Sequence, residues 1–184
     1  MKARATVILC VLLPLLFISC GPQPQGESGT EIIAAEEALA RLSEPDTVLV
    51  DARGSLDYRK GHVDGAVNVP LPSITVSEPV LNMLAPAEKV ADAFGSAGIG
   101  NDTHVLVYDD NNNMLAARLW WTLKVYGHDS VQVISGGLKA LEAAGADTNT
   151  SVPQITPVDF TPGEPRTEMI ATTQDVRSQV NEPK

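Results

Sequence analysis

Asp109-Asp110-Asn111-Asn112-Asn113-Met114 puts two carboxylates and three carboxamides between an apolar run and a helical pattern. The run before it, His104-Val105-Leu106-Val107-Tyr108, is rich in β-branched residues and reads as a buried strand. Beyond it, Leu115, Leu119, Trp120, Leu123 and Tyr126 recur at helical spacing. Strand, tight loop and helix start is where α/β folds hold anions, because the first helical N–H groups have no acceptor within the helix. The chemistry open to such a place is stabilisation of negative charge on a nucleophile or a bound anion. This loop contains no nucleophile and supplies carboxylates of its own.

Other chemistries fit less well. Asp109, Asn111 and Asn113 alternate as in the opening of a calcium loop, but Met114 stands where glycine is needed and Trp120 where the bidentate glutamate is needed. A polar loop capping a helix is the stronger reading, and no metal or cofactor is expected. Asp51, His62 and Asp64 invite an acid–base reading, yet their places at a strand end and in a Gly-His-Val-Asp-Gly turn favour structural roles. The sequence has no Gly-x-Ser-x-Gly elbow and no glycine-rich phosphate loop.

The elements that must position the loop alternate in type. A short apolar centre at Ile32-Ile33 precedes a helix over 36–42, and Thr47-Val48-Leu49-Val50-Asp51 is a strand apolar on both faces. Such runs belong in a parallel sheet covered by helices. A helical turn is expected over 58–63, a brief strand over 66–69, and a helix over 88–94 opened by Pro86. After the central strand, loop and helix come a strand over 131–134, a break at Gly136-Gly137 and a helix over 138–144. Short links between alternating strands and helices predict an open parallel α/β sheet spanning 30–147. Trp120 and Trp121, about 100° apart on their helix, are expected to divide between the core and a neighbour.

The ends carry different signals. Lys2 and Arg4 precede an apolar run over 7–18, the pattern of a secretory leader over 1–19. Ser19-Cys20-Gly21 resembles a bacterial lipoprotein cleavage box, with Phe17 where that box prefers leucine. Lipid, palmitate included, is expected on Cys20, with 20–29 as a Gly/Pro/Gln/Ser tether. The expected location is outside the cytoplasm on a membrane, the outer membrane where the cell has one. Cys10 lies within the leader, so the folded part has no thiol.

The net charge is −10; without 1–19, 11 basic groups face 23 acidic ones and it becomes −12. Nucleic acid is therefore not an expected partner. Past Asp147 the chain turns Thr/Pro-rich and reads as a linker or strap over 148–166. Thr167-Glu168-Met169-Ile170-Ala171 then repeats Thr30-Glu31-Ile32-Ile33-Ala34, 137 positions later. That places the start of an incomplete second repeat at 167–184.

Three stretches resemble the rhodanese (thiosulfate sulfurtransferase) superfamily. Leu49-Val50-Asp51-Ala52-Arg53, with Tyr58 and Gly61-His62-Val63-Asp64-Gly65-Ala66-Val67-Asn68-Val69-Pro70, resembles its first signature. Val105-Leu106-Val107-Tyr108-Asp109 resembles its active-site strand. Ala116-Ala117-Arg118-Leu119-Trp120-Trp121, with Tyr126-Gly127-His128, Val131 and Gly136-Gly137, is similar to the tandem-domain sulfurtransferases.

The resemblance implies a rhodanese-like α/β fold, an open five-stranded parallel sheet flanked by helices. It also implies that the persulfide-forming cysteine of catalytic members is replaced here by Asp109, so that this chain does no sulfur transfer. In tandem members the N-terminal unit typically lacks that cysteine, which makes a catalytic rhodanese domain the expected partner. Asp109 is expected to fill its own anion hole, with Arg53 and Arg118 as charge partners; a fixed anion at an exposed helix N-terminus gains about 0.3–1 kcal/mol. The other readings are a stand-alone ligand- or partner-binding lipoprotein on the same scaffold, and a cysteine-free enzyme using Asp109 or Asp110 with a metal.

Overall fold

The computed structural model describes residues 31–180. The leader expected at 1–19, Cys20, the tether and the last four residues of the tail lie outside the described residues.

The sheet begins with β1, Ile32–Ile33, and α1, Ala35–Arg41. Then come β2, Thr47–Asp51; α2, Ser55–Lys60; β3, His62–Val63; and β4, Val67–Asn68. A hairpin follows, β5, Thr75–Val76, and β6, Met83–Leu84, and after it α3, Ala87–Ser96. The second half contains β7, His104–Tyr108; α4, Met114–Val125; β8, Val131–Ile134; α5, Gly137–Ala143; β9, Thr148–Asn149; and α6, Thr173–Val180. Five strands form one parallel sheet in the order β1-β8-β7-β2-β4. Helices flank it, so the architecture is the one the alternation implies.

The central strands β2 and β7 pair in register from Thr47 opposite His104 to Asp51 opposite Tyr108. Side chains alternate across a strand, so these two feed both layers of core. Val50, Val105 and Val107 join Phe94, Leu119, Leu123 and Tyr126 on the α3/α4 side. Leu49, Leu106 and Tyr108 join Ile33, Ala38, Ile134 and Leu141 on the α1/α5 side. This explains why both strands are apolar at every inner position. Asp51 and Tyr108 end them side by side, and the Asp109 loop leaves from that edge.

Two expectations need correction. The stretch 58–63 is not one helical turn: α2 ends at Lys60, and His62–Val63 is a strand that pairs antiparallel with Thr148–Asn149. Pro86 is the residue before α3 rather than its first helical residue. The 150–166 stretch runs as a strap. Phe160 is buried, with its ring 5.3 Å from Phe94 and 5.8 Å from His128. Asn101 brackets Thr161 with two hydrogen bonds of 2.8 Å, and Gly163 N–H donates to Tyr126 O at 2.8 Å. Arg166 closes the strap on Asp129 with two bonds of 2.7 Å.

Candidate functional site

Asp109 is buried, with 1% of its surface exposed, and its carboxylate accepts four backbone hydrogen bonds. Oδ1 takes the N–H groups of Asn111 and Asn113, both at 2.9 Å. Oδ2 takes those of Leu115 at 2.7 Å and Ala116 at 3.0 Å. The first pair comes from the loop, the second from the first turn of α4, where N–H groups otherwise lack partners. Asn112 and Asn113 have positive φ, 52° and 63°. Asparagine tolerates that region better than most residues, and the turn it allows aims successive N–H groups inward as an anion nest.

The loop is fixed from two further sides. Leu138 N–H, at the start of α5, donates to the Asp109 carbonyl at 2.8 Å. That approach needs Gly137, whose φ is +56° and whose missing Cβ would collide with the Asp109 carbonyl oxygen. The Gly136-Gly137 pair carried this signal in the sequence, although only as a strand break.

On the other side lies a buried ion pair. Asp51 is fully buried; Arg53 donates Nε to its Oδ1 and Oδ2 at 3.0 Å and Nη2 to Oδ2 at 2.7 Å. Tyr108 Oη donates to Asp51 Oδ2 at 2.9 Å and accepts Val63 N–H at 3.1 Å. Burial works against the Arg53 charge, but the Asp51 hydrogen bond and charge outweigh it and hold the guanidinium above its ordinary pKa. Burial, then the Asp51 charge, pushes the Tyr108 hydroxyl up. Tyr108 was read only as the end of a strand; its role in this network depends on Asp51 standing beside it.

The expected arginine partners go elsewhere. Arg53 is spent on Asp51 and on Gly61 O at 2.6 Å, and reaches the loop only at Asp110, 3.5 Å from Nη1. Arg118 donates to Asn82 O at 2.7 Å and lies 4.6 Å from the Trp121 ring. Neither arginine bonds Asp109, because backbone N–H groups already surround its carboxylate. Asp110, Asn111, Asn112 and Met114 are exposed, and Asn113 is half-buried at the foot of α4.

The residues read as structural sit accordingly. His62 is buried, stacks on Tyr58 at 3.7 Å, and sets Nδ1 2.8 Å from Tyr58 O and Nε2 3.1 Å from Ser151 O. Asp64 accepts Asn149 Nδ2 at 2.7 Å. Trp120 and Trp121 are both half-buried; Trp120 Nε1 donates to Glu31 at 2.9 Å and Trp121 Nε1 to Met169 O at 3.0 Å.

The arrangement is a helix N-terminus and loop built to hold one anion, with a carboxylate of the chain already seated in it. Residues 34–144 match the model of the rhodanese-like domain. The chain is 30% identical over 171 residues to a probable 3-mercaptopyruvate sulfurtransferase of Pseudomonas aeruginosa, covering 85% of this chain and 60% of that protein. It is 39% identical over 131 residues to thiosulfate/3-mercaptopyruvate sulfurtransferase 2 of Arabidopsis thaliana, covering 66% of this chain and 38% of that one. Among solved structures, SseA from Escherichia coli, a 3-mercaptopyruvate sulfotransferase, superposes with a TM-score of 0.75 at 24% identity, over 83% of this chain and 62% of that one. The chain belongs to the rhodanese-like domain family and is related to the 3-mercaptopyruvate and thiosulfate sulfurtransferases. It spans 60% or less of the length of the two curated relatives named here.

Proposed function

We propose that this chain is the non-catalytic rhodanese-like unit of a sulfurtransferase, and that it supports a cysteine-bearing catalytic unit by packing against it. The observation that carries this reading is the Asp109 carboxylate on its four N–H donors. Sulfur transfer of this kind needs a thiolate to take up the sulfane sulfur as a persulfide. A carboxylate oxygen offers no such chemistry, and cysteine occurs in this sequence only at 10 and 20, neither of them in the loop. Asp109 also fills the place that a donor anion such as thiosulfate would need.

The repeat at 167–171 supports the second half of the reading, since it marks the opening of a further unit of the same kind. In the same reading Cys20 is lipidated after removal of 1–19, and the domain stands off a membrane outside the cytoplasm.

The test is sulfur transfer from thiosulfate or 3-mercaptopyruvate to cyanide by residues 20–184. The expected result is no thiocyanate above the protein-free blank. Turnover that disappears in Asp109→Ala would refute the reading. Mass spectrometry of the membrane-bound native protein tests the anchor, with an acylated Cys20 at its N-terminus as the expected result.

A further inference from the structure

All five strands of the main sheet run the same way, so the Asp109 loop leaves from one end and the strands start at the other. At that starting end β2 is covered unequally. β7 pairs with it from Thr47 onwards, whereas β4 joins only at Val50. On the β4 side, Thr47, Val48 and Leu49 border a cleft rather than a strand. Val69 N–H donates to Asp51 O at 3.1 Å from that side. Peptide groups alternate sides along a strand, so Thr47 turns its own N–H and C=O the same way.

Three further segments wall the cleft, whose volume is about 380 Å³: the Asp64-Gly65 turn, Ala97-Gly98 at the end of α3, and strap residues 153–156. Glycines hold the strap against α3. Val158 N–H donates to Gly95 O at 3.1 Å, and a Cβ on Gly95 would collide with Val158 O. A Cβ on Gly98, whose φ is +75°, would press on Ile155 Cγ2. The strap thus lies closer to α3 than a side chain at those positions would allow, and the cleft beside it is firmly built. Pockets for small molecules run to about 300–1,000 Å³, so this one suits a compact ligand.

Its chemistry is one-sided. Leu42, Val48, Val67 and Ile155 supply apolar wall. Thr47 Oγ1 is buried and, among the described residues, has no hydrogen-bond partner. Buried hydroxyls are ordinarily satisfied, so this one marks a place for a polar group of a ligand. Asp64 is the only ionisable side chain that lines the cleft. Its Oδ1 accepts Asn149 Nδ2 at 2.7 Å, and among the described residues no cation pairs with it. The net charge of −10 adds to the bias against anions. We propose that this cleft binds a small primary ammonium compound with a compact apolar body. The cation faces Asp64, and the body lies on Leu42, Val48 and Ile155. An ammonium has three donors and no acceptor, which suits a carboxylate together with the Thr47 hydroxyl and peptide carbonyl. The site lies at the far end of the sheet from Asp109 and asks nothing of the supporting role proposed above, so the two stand or fall separately.

The experiment titrates the full chain, labelled with nitrogen-15, with butylamine, 3-methylbutylamine and 2-phenylethylamine at pH 7, where the amines carry their charge. Backbone amide signals are followed by NMR. 3-Methylbutanol and 4-methylpentanoate, similar in shape, are the neutral and anionic controls. The expected result is saturable movement of the Val48, Gly65, Gly98 and Ile155 amides with at least one amine, at a Kd on the order of 1 mM or tighter. The alcohol binds about fivefold or more weakly, and the carboxylate does not bind. Asp64→Asn keeps the shape and the acceptor for Asn149, and weakens amine binding by about fivefold or more. Thr47→Val keeps a β-branched residue in β2 and weakens it by about threefold or more. Amide signals away from the cleft report whether each variant is folded. Failure of every amine to move those four amides overturns the proposal, and so does equal movement by the alcohol or the carboxylate. Amine binding unchanged in Asp64→Asn also overturns it. Should Asp64→Asn not fold, unchanged binding in Thr47→Val overturns the proposal in its place, and weakened binding there with the alcohol trailing the amine supports it.

Discussion

Replacing Asp109 with alanine removes the acceptor of four N–H groups at once. Those of Asn111 and Asn113 lie in a loop where water can take over. Those of Leu115 and Ala116 lie at the buried foot of α4, Ala116 being fully buried. An unsatisfied buried donor costs about 1–3 kcal/mol, so these two set an expected loss of about 2–6 kcal/mol for Asp109→Ala. For a domain of this size that is a fall in Tm of about 4–24 °C. The informative half of the experiment adds anions. The vacated nest should take up sulfate or thiosulfate, and an anion at a hundred times its Kd returns about 2.7 kcal/mol. Thermal unfolding in increasing thiosulfate, with chloride at matched ionic strength as the reference, reads both effects. The variant should start lower and climb; the unaltered protein should show only the general salting-in or salting-out response. A variant within about 0.5 kcal/mol of the parent, the range of an indifferent surface change, would refute the account of the nest. Equal thiosulfate stabilisation of the two proteins would refute the claim that Asp109 fills it.

Gly137→Ala forces a side chain into φ +56° and against the Asp109 carbonyl. Strain of about 1–2 kcal/mol and overpacking of about 1–3 kcal/mol predict a loss of about 2–5 kcal/mol in urea unfolding. His128 and His104 are both pulled below the usual histidine range by burial. Their neutral forms are favoured in the folded state, so stability is full above about pH 6.5, where the unfolded chain also leaves them neutral. It is lost as pH falls below that value, because the unfolded state then binds the protons, so urea midpoints at pH 8 and 7 should nearly agree and then decline at pH 6 and again at pH 5. Phe160→Ala opens a hole beneath the strap at Phe94 and His128. The expected cost is about 3–5 kcal/mol, with proteolytic cleavage appearing within 150–166 before the rest of the domain is cut.

The long strands were legible in the sequence because they are continuous. β2, β7 and β8 are runs rich in β-branched residues and closed by turns, and such runs have one good use, the middle of a covered parallel sheet. Two-residue strands carry no periodicity. His62–Val63 looked like the end of a helical turn because its partner, Thr148–Asn149, lies 86 positions further on and is itself polar. The β5–β6 hairpin was invisible for a similar reason: each of its strands is two residues long, and the loop between them sets Val80-Leu81 among the turn residues Ser77, Pro79 and Asn82. Phe160 likewise stood alone in a Thr/Pro-rich stretch, and a single aromatic has no period.

The candidate site was half legible. Strand, polar loop and helix located the anion nest and put Asp109 in it. The arginines were assigned by charge alone, and charge was the wrong guide. Backbone N–H groups can surround a carboxylate at 2.7–3.0 Å without leaving room for a guanidinium. Asp51 has one such donor, the Arg53 N–H on Oδ1 at 2.9 Å, and is the acid that needs the Arg53 guanidinium.

The nest also limits what position 109 can be. Loop and helix turn four donors on one point, and α5 holds the loop there through Leu138 whether or not an anion is present. Left empty, that point would expose buried donors and attract any small anion. Two kinds of side chain relieve it: one that carries its own charged acceptor, or one that brings a charged group by reaction, as a persulfide does. Aspartate is the short acceptor whose two oxygens can divide among the four donors, as Oδ1 and Oδ2 do here. A unit that gives up the reactive side chain while keeping the loop is therefore driven towards a carboxylate rather than towards alanine or serine. By the same reasoning Asp109→Asn should cost nearly as much as Asp109→Ala. Its amide would turn an NH2 donor towards two N–H groups and bring no charge to the rest. Urea unfolding of the two variants side by side measures the difference, and an asparagine variant as stable as the parent would show that shape, not charge, is what the nest selects.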